Sequence, residues 1–250
     1  EGEEEVGSTN LVSFIKKHRK LLTCDTILIS DTNMQGKTKP SITYGLRGLT
    51  YLEMSVTSLS GDQHSGTYGG GVANPAQVLA ELLVKCKDPK TSKIKIPGFS
   101  EDVVPLSRKE RSELAKIPHD DMMYAKSIGA VNTFGEKGYS TIERTGARPT
   151  FEINGIWGGH TGQGVKTVLP SSAHAKVSMR LVANQDPDKI AKLFKDYIMD
   201  IAPNTVKVDV KLYDNNGYAA LTPIDADGMK AASRAIKKVY KKDPYYTREG

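Results

Sequence analysis

Three acidic residues near the start of the chain, a later aspartate and a histidine set among glycines have the types and spacing best suited to chemistry. Glu3, Glu4 and Glu5 directly precede Val6-Gly7-Ser8. Neighbouring side chains on an extended segment point in opposite directions, so two adjacent carboxylates can do different work. One can hold a metal while the other meets a water from another side, the division of labour a metal-dependent hydrolase needs. The same run also suits an acidic turn ahead of a helix N-terminus, where the helix dipole favours negative charge. Asp31 ends the apolar run Thr26-Ile27-Leu28-Ile29-Ser30. Catalytic groups of open α/β sheets gather at the carboxyl ends of strands, although a turn or capping aspartate reads the same way. His64 lies in DQHSGTYGGGVANP, Asp62 to Pro75. Glycine lets the backbone turn sharply and approach a ligand, and histidine can donate, accept or carry charge near neutral pH. Taken alone, the stretch is equally a tight surface loop.

Two kinds of element must position these residues. Ser8 is a plausible N-cap, followed by Leu11, Phe14, Ile15, His18 and Leu22 at helical spacing. Thr26 to Ser30 reads as a strand buried in a parallel sheet. A second architecture begins near Leu46, where Leu49 to Ser58 alternates as a strand. Asn74 caps and Pro75 opens a helix with Leu79, Leu82, Leu83 and Cys86 on one face. Strand signals return at Thr150 to Ile153 and at Ala173 to Val182. Asp186-Pro187 opens another helix, and Thr205 to Leu212 alternates again. The order β-α-β-β-α-β is that of a ferredoxin-like, four-stranded antiparallel sheet with both helices on one face. Residues 88–148 interrupt it with a polar stretch in which Ser107 and Glu110 suggest a capping box; this insertion is expected to cover something. Pro223 to Tyr240 reads as a helix that returns to the first α/β part. The expected division is therefore residues 1–45, then an inserted unit over 46–217, then 218–250 resuming the first part.

Bulk properties exclude several classes. The 250 residues suffice for one large or two modest domains, and hydrophobic residues make up 38%. No apolar run approaches the roughly 20 residues of a membrane helix, so no membrane partner is expected. Net charge is +6. The basic clusters at Lys16–Lys20 and Lys237–Lys242 fall on amphipathic helices without interleaved aromatics, so no nucleic-acid partner is expected. Cys24 and Cys86 lie far apart on apolar-patterned segments and read as buried free thiols in a reducing compartment.

Seven motifs then occur in order along essentially the whole chain: EGEEEVGS, ISDTN, KPSITYGLRG, DQHSGTYGGGVANP, INGIWGGHTGQGVKTVLP, AKVSMRLVANQDP and TREG. Together they resemble the dimetal metallopeptidases of the carnosine dipeptidase, glutamate carboxypeptidase and aminoacylase type, most nearly the cytosolic nonspecific dipeptidases. The resemblance implies a partial zinc-peptidase catalytic α/β domain with an inserted ferredoxin-like α+β lid and dimerisation domain. It implies a cytoplasmic homodimer, paired through the lid, that hydrolyses dipeptides or short peptides with a free C-terminal carboxylate. Two zinc ions, or manganese or cobalt in their place, would activate a water. By motif position, Glu4 matches the general base, while Glu5 and Asp31 match one ligand of each metal. His64 matches the lid histidine that reaches the partner's active site and holds the substrate carbonyl. Thr167 matches a substrate contact also offered to the partner, and Arg180 matches the cation that grips the substrate carboxylate. Judged by residue type alone, Thr167 is also a plain strand or turn residue, and Arg180 also suits a solvated face or an internal ion pair. His119, His160 and His174 match no ligand and read as structural or surface residues.

The family's site also needs an upstream histidine, a bridging aspartate and a downstream histidine, which nothing here matches. Glu5 and Asp31 alone leave both metals short of the three or more protein ligands zinc normally takes. The chain thus reads as an excerpt of a longer protein, inactive by itself, with the missing ligands expected before Glu1 and after Gly250. The alternatives are an N-acyl-amino-acid deacylase or desuccinylase of the same family, or a non-catalytic dimerising homologue. If the metal reading holds, Glu4, Glu5 and Asp31 should converge at one rim of the α/β sheet.

Overall fold

The computed structural model describes residues 2–213 and 216–250; Glu1, the first residue of the EGEEEVGS run, lies outside them. In chain order the elements are α1 (Leu11–Lys17), β1 (Ser41–Leu46), β2 (Gly48–Thr57), β3 (Gln63–His64), α2 (Ser65–Tyr68) and α3 (Pro75–Lys85). The insertion contributes α4 (Arg108–Leu114), α5 (Asp121–Ser127) and α6 (Thr141–Ala147). β4 (Thr150–Gly158), β5 (Val168–Leu169), β6 (Ser172–Leu181), α7 (Pro187–Ile201) and β7 (Lys207–Leu212) follow. β8 (Ala220–Leu221), α8 (Asp227–Tyr240) and β9 (Tyr245–Glu249) complete the chain.

The larger sheet has the order β4-β6-β2-β7, every pair antiparallel. With α3 and α7 it reproduces the β-α-β-β-α-β arrangement read from sequence. Alternation places Leu52, Met54 and Val56 of β2 and Ala175, Val177 and Met179 of β6 on the helix-covered face, all buried. Leu79 and Leu82 of α3 and Ile190, Phe194 and Ile198 of α7 close over them. Both helices start where their caps dictate. Asn74 Oδ1 accepts from Ala76 N, Asp186 Oδ1 accepts from Asp188 N and Lys189 N, and a proline follows each cap. The opposite face of this sheet carries polar residues, among them Glu53, Ser55, His174, Lys176 and Arg180.

A second, three-stranded sheet has the order β8-β1-β9, with β1 and β9 parallel. The two sheets meet where β1 runs into β2. Gly48 is required there, because a Cβ would lie 2.4 Å from the Gly217 carbonyl oxygen. The insertion expected to cover something covers this small sheet. Leu114, Ile117 and Ala147 pack with Tyr44 in a second core, against Tyr245 and Tyr246.

Several local expectations change. Thr26 to Ser30 forms no strand, and Ile27, Leu28 and Ile29 are 77, 83 and 70% exposed. A strand exists only where neighbours take up its backbone hydrogen bonds, and no described residue pairs with this run. Asn10 rather than Ser8 precedes α1, which spans only seven residues, and Ser8 adopts a left-handed φ of 49°. The Ser107–Glu110 box is half made. Ser107 Oγ accepts from Glu110 N at 3.1 Å, but the Glu110 carboxylate turns to the Tyr44 hydroxyl and the Arg248 guanidinium. The complete capping box is Ser140–Glu143, on α6. The last helix opens at Asp227, after a turn closed by Ala226 N donating to Pro223 O. Cys24 is exposed, because the segment around it finds no core here; Cys86 is buried, and burial pushes its thiol up to about 12, which keeps it unreactive.

Candidate functional site

His64 and Thr167, 103 residues apart in the chain, are brought into contact. The polypeptide leaves the paired ends of β2 and β6, at Thr57 and Ser172, and forms a short antiparallel ribbon, β3 on β5. In it Gln63 faces Leu169 and His64 faces Val168, and Ser65 N donates to Thr167 O at 2.9 Å. The His64 side chain caps α2: its Nδ1 accepts from Gly66 N at 3.1 Å. An accepting Nδ1 leaves Nε2 to carry the proton of the neutral ring. Nε2 lies 3.0 Å from Thr167 Oγ1, so in this tautomer its N–H donates to the Thr167 hydroxyl, whose own proton is left to point outward; both side chains are exposed. Glycine at position 66 makes this possible, because a Cβ there would fall 2.8 Å from His64 Cε1. Such a pair of donors can hold an oxygen on which negative charge develops.

Arg180 lies at the far end of the same strand. It stands on the polar face of β6, opposite Leu49 and Thr150. It lies eight positions along β6 from Ser172, where the ribbon begins. At 3.2–3.4 Å per residue that is roughly 26 Å. Arg180 forms no ion pair among the described residues, and its charge is felt by Arg47, which links the two sheets. The Arg47 guanidinium donates to the carbonyls of Arg144 and Arg148, at the end of α6, and of Gly250. Burial, together with Arg180, lowers its pKa to about 10, while Glu152 opposes the shift.

The carboxylates are placed more simply. Glu4 and Glu5 sit on a single 3-10 turn, Glu4–Val6, both exposed, and Asp31 lies exposed after the unpaired apolar run. Among the described residues no group of three or more His, Cys, Asp or Glu is arranged to hold a metal ion. Glu4, Glu5 and Asp31 therefore form no such group among the described residues. The two carboxylates matched as ligands do not by themselves fit a complete zinc site, which takes three or more protein donors.

Two of the other histidines have local partners. His174 lies between Ser55 Oγ and Ser172 Oγ, at 2.8 and 3.1 Å, and stacks on Trp157; His119 pairs with Asp121 at 2.8 Å. A cavity of about 330 Å³ under α4, lined by Tyr44, Glu110, Pro223, Tyr246 and Arg248, contains none of the candidate residues. Two contacts around His64 emerge only with the structure: the Gly66 amide on its Nδ1, and Asp62, two residues earlier, whose Oδ1 accepts from Ser171 N at 2.8 Å. Asp62 stands two residues from His64 in the same motif, but its partner, 109 positions away, becomes visible only in the fold.

Comparison with known proteins gives this geometry a family. Residues 44–206 match the M20 peptidase dimerisation domain. The Saccharomyces cerevisiae Cys-Gly metallodipeptidase DUG1 is 34% identical over 255 aligned residues, covering 100% of this chain and 53% of that protein. The human Beta-Ala-His dipeptidase is 31% identical, covering 100% of this chain and 50% of that protein. The crystal structure of the M20 family metallo-carboxypeptidase Sso-CP2 from Sulfolobus solfataricus superposes with a TM-score of 0.84 at 31% identity, covering 100% of this chain and 56% of that one. The chain thus spans about half the length of the curated relatives it matches. Fold, dimerisation-domain match and full-length similarity agree: this chain belongs to the M20 family of metallopeptidases.

Proposed function

We propose that the whole protein is a cytoplasmic, homodimeric dipeptidase that hydrolyses dipeptides, or short peptides with a free C-terminal carboxylate. Residues 46–217 form its lid and dimerisation unit, and 1–45 with 218–250 belong to its catalytic part. The observation that carries this reading is the separation along β6. Arg180 stands roughly 26 Å along β6 from Ser172, where the ribbon begins, and a dipeptide spans about 7 Å, so a dipeptide held at Arg180 stops well short of the ribbon's base on the same chain. If both serve one substrate, they come from different subunits, which a dimerisation domain supports.

In this reading Arg180 grips the substrate carboxylate through its planar fork of donors. His64 and Thr167 of the other subunit donate to the scissile carbonyl oxygen as charge builds on it. Glu4 takes the proton of the attacking water and delivers it to the leaving amine. Glu5 and Asp31 are assigned as one ligand of each of two zinc ions, whose other donors must come from elsewhere in the whole protein.

Complementation between inactive variants tests the proposal. Glu4→Gln and His64→Ala should each inactivate the whole protein while leaving metal content and dimer mass unchanged. A heterodimer of the two variants has one site with both defects and one with neither, so about half of the wild-type activity per dimer should return. Heterodimers that form and stay inactive would show that His64 does not act across the interface.

A further inference from the structure

The ribbon that carries His64 and Thr167 is held at its base, where Leu169 and Pro170 are buried, while its tip is exposed. It pairs only two residues on each side, Gln63 with Leu169 and His64 with Val168. Two-stranded ribbons of this size are marginal in water unless something else anchors them. Both functional side chains are exposed, so packing does not fix them either. The anchor lies at the ribbon's base. The peptide groups on the two sides of Ser171 Cα are gripped by the segment between β2 and β3: Ser58 N donates to Ser171 O at 3.1 Å, and Ser171 N donates to Asp62 Oδ1 at 2.8 Å. The next residue, Ser172, is already in β6 and pairs with Thr57 of β2. The Asp62 carboxylate therefore ties the ribbon to the rigid end of the large sheet through a charge-assisted hydrogen bond to backbone. It stands two residues before His64 and touches neither the imidazole nor Thr167 in the described contacts.

We propose that Asp62 is a positioning residue for the oxyanion donors. Its carboxylate sets where the ribbon leaves the sheet, and so the height and direction at which His64 Nε2 and Thr167 Oγ1 are presented. A misplacement of about 1 Å at a group that stabilises developing charge costs up to about a hundredfold in rate. The effect should therefore fall on kcat, because these donors matter most once charge has developed.

The inference rests on the assignment of His64 above, and a mutant cycle in the whole protein separates the two. Asp62→Ala should lower kcat by about tenfold or more, with KM changed by less than about threefold. Asp62→Asn keeps an acceptor oxygen in the same place and should recover most of the loss. In a background that lacks both donors, His64→Ala with Thr167→Val, Asp62→Ala should add less than about twofold, because Asp62 acts only through them. If His64→Ala itself leaves kcat intact, the assignment of His64 fails. If His64→Ala is impaired and Asp62→Ala is not, or if the Asp62→Ala loss persists in full in the background that lacks both donors, the positioning role alone is overturned. Should Asp62→Ala not fold, amide exchange decides: the Ser171 amide should be protected like its β6 neighbours in the wild type and Asp62→Asn, and exchange at the rate of a free loop would refute the clamp.

Discussion

At the scale of single residues, His64 is set up by its neighbours rather than by burial. Gly66 N–H occupies Nδ1, Thr167 Oγ1 stands at Nε2, and the missing Cβ at position 66 leaves room for the ring. A ring held this way keeps its Nε2–H on the side of the Thr167 hydroxyl, from which it has only to turn from one oxygen to another to meet developing charge. His64→Ala in the whole protein should accordingly lower kcat by about 10²–10³-fold, with KM moved far less. Steady-state kinetics on a dipeptide checks this, with metal content as the control. A loss confined to KM would mean that the ring only binds substrate and does not favour the transition state.

At the scale of elements, stability and function separate. α3 and α7 bury their apolar faces on the large sheet, while the polar face of the same sheet carries Arg180 and the ribbon projects from one end. Phe194 is fully buried on α7 and lies 5.9 Å, centroid to centroid, from Phe151 of β4. Phe194→Ala should destabilise the fold by about 3–5 kcal/mol. Asp186→Ala, which removes the cap of the same helix, should cost about 1 kcal/mol. Urea denaturation of the two variants gives the comparison; equal losses would mean that α7 is held by its end rather than by its buried face. The insertion covers the small sheet, as expected. It packs against β1 and β9, and its Glu110 carboxylate is drawn away from its own helix to Tyr44 and Arg248.

At the scale of the whole molecule, the small sheet joins the large one through β1 and β2, and Arg47 sits at the joint, held by carbonyls from α6 and Gly250. The apolar run Ile27-Leu28-Ile29 lies exposed beside this assembly. Three consecutive large apolar side chains in water forgo about 1.5–3 kcal/mol each relative to burial. The curated relatives are about twice as long as this chain, and a strand at this position in the whole protein would bury the run. Hydrogen exchange measured on the whole protein should then show residues 26–30 protected. Fast exchange there would sink the strand reading and, with it, the placing of Asp31 at a strand's end.

Patterns confined to a few neighbouring residues were legible without the fold. The period-2 alternation of β2, β6 and β7 and the Asn74-Pro75 and Asp186-Pro187 starts specify the ferredoxin-like unit, because strand and helix periodicity and capping act over short distances. His64, Thr167 and Arg180 were singled out differently, by the resemblance of whole motifs to a family, since by type alone each also suits a loop, a turn or a solvated face. What lay beyond the sequence was everything that depends on a distant partner. Thr26 to Ser30 has the composition of a buried strand, but a strand needs neighbours to take its hydrogen bonds, and no composition supplies them. Glu110 fits a local cap, yet a tyrosine and an arginine from other strands compete for its carboxylate and win. Only the tertiary structure put Thr167 against His64, Asp62 against Ser171, and Arg180 at the other end of β6, because each distance is set by strand register between segments far apart in the chain.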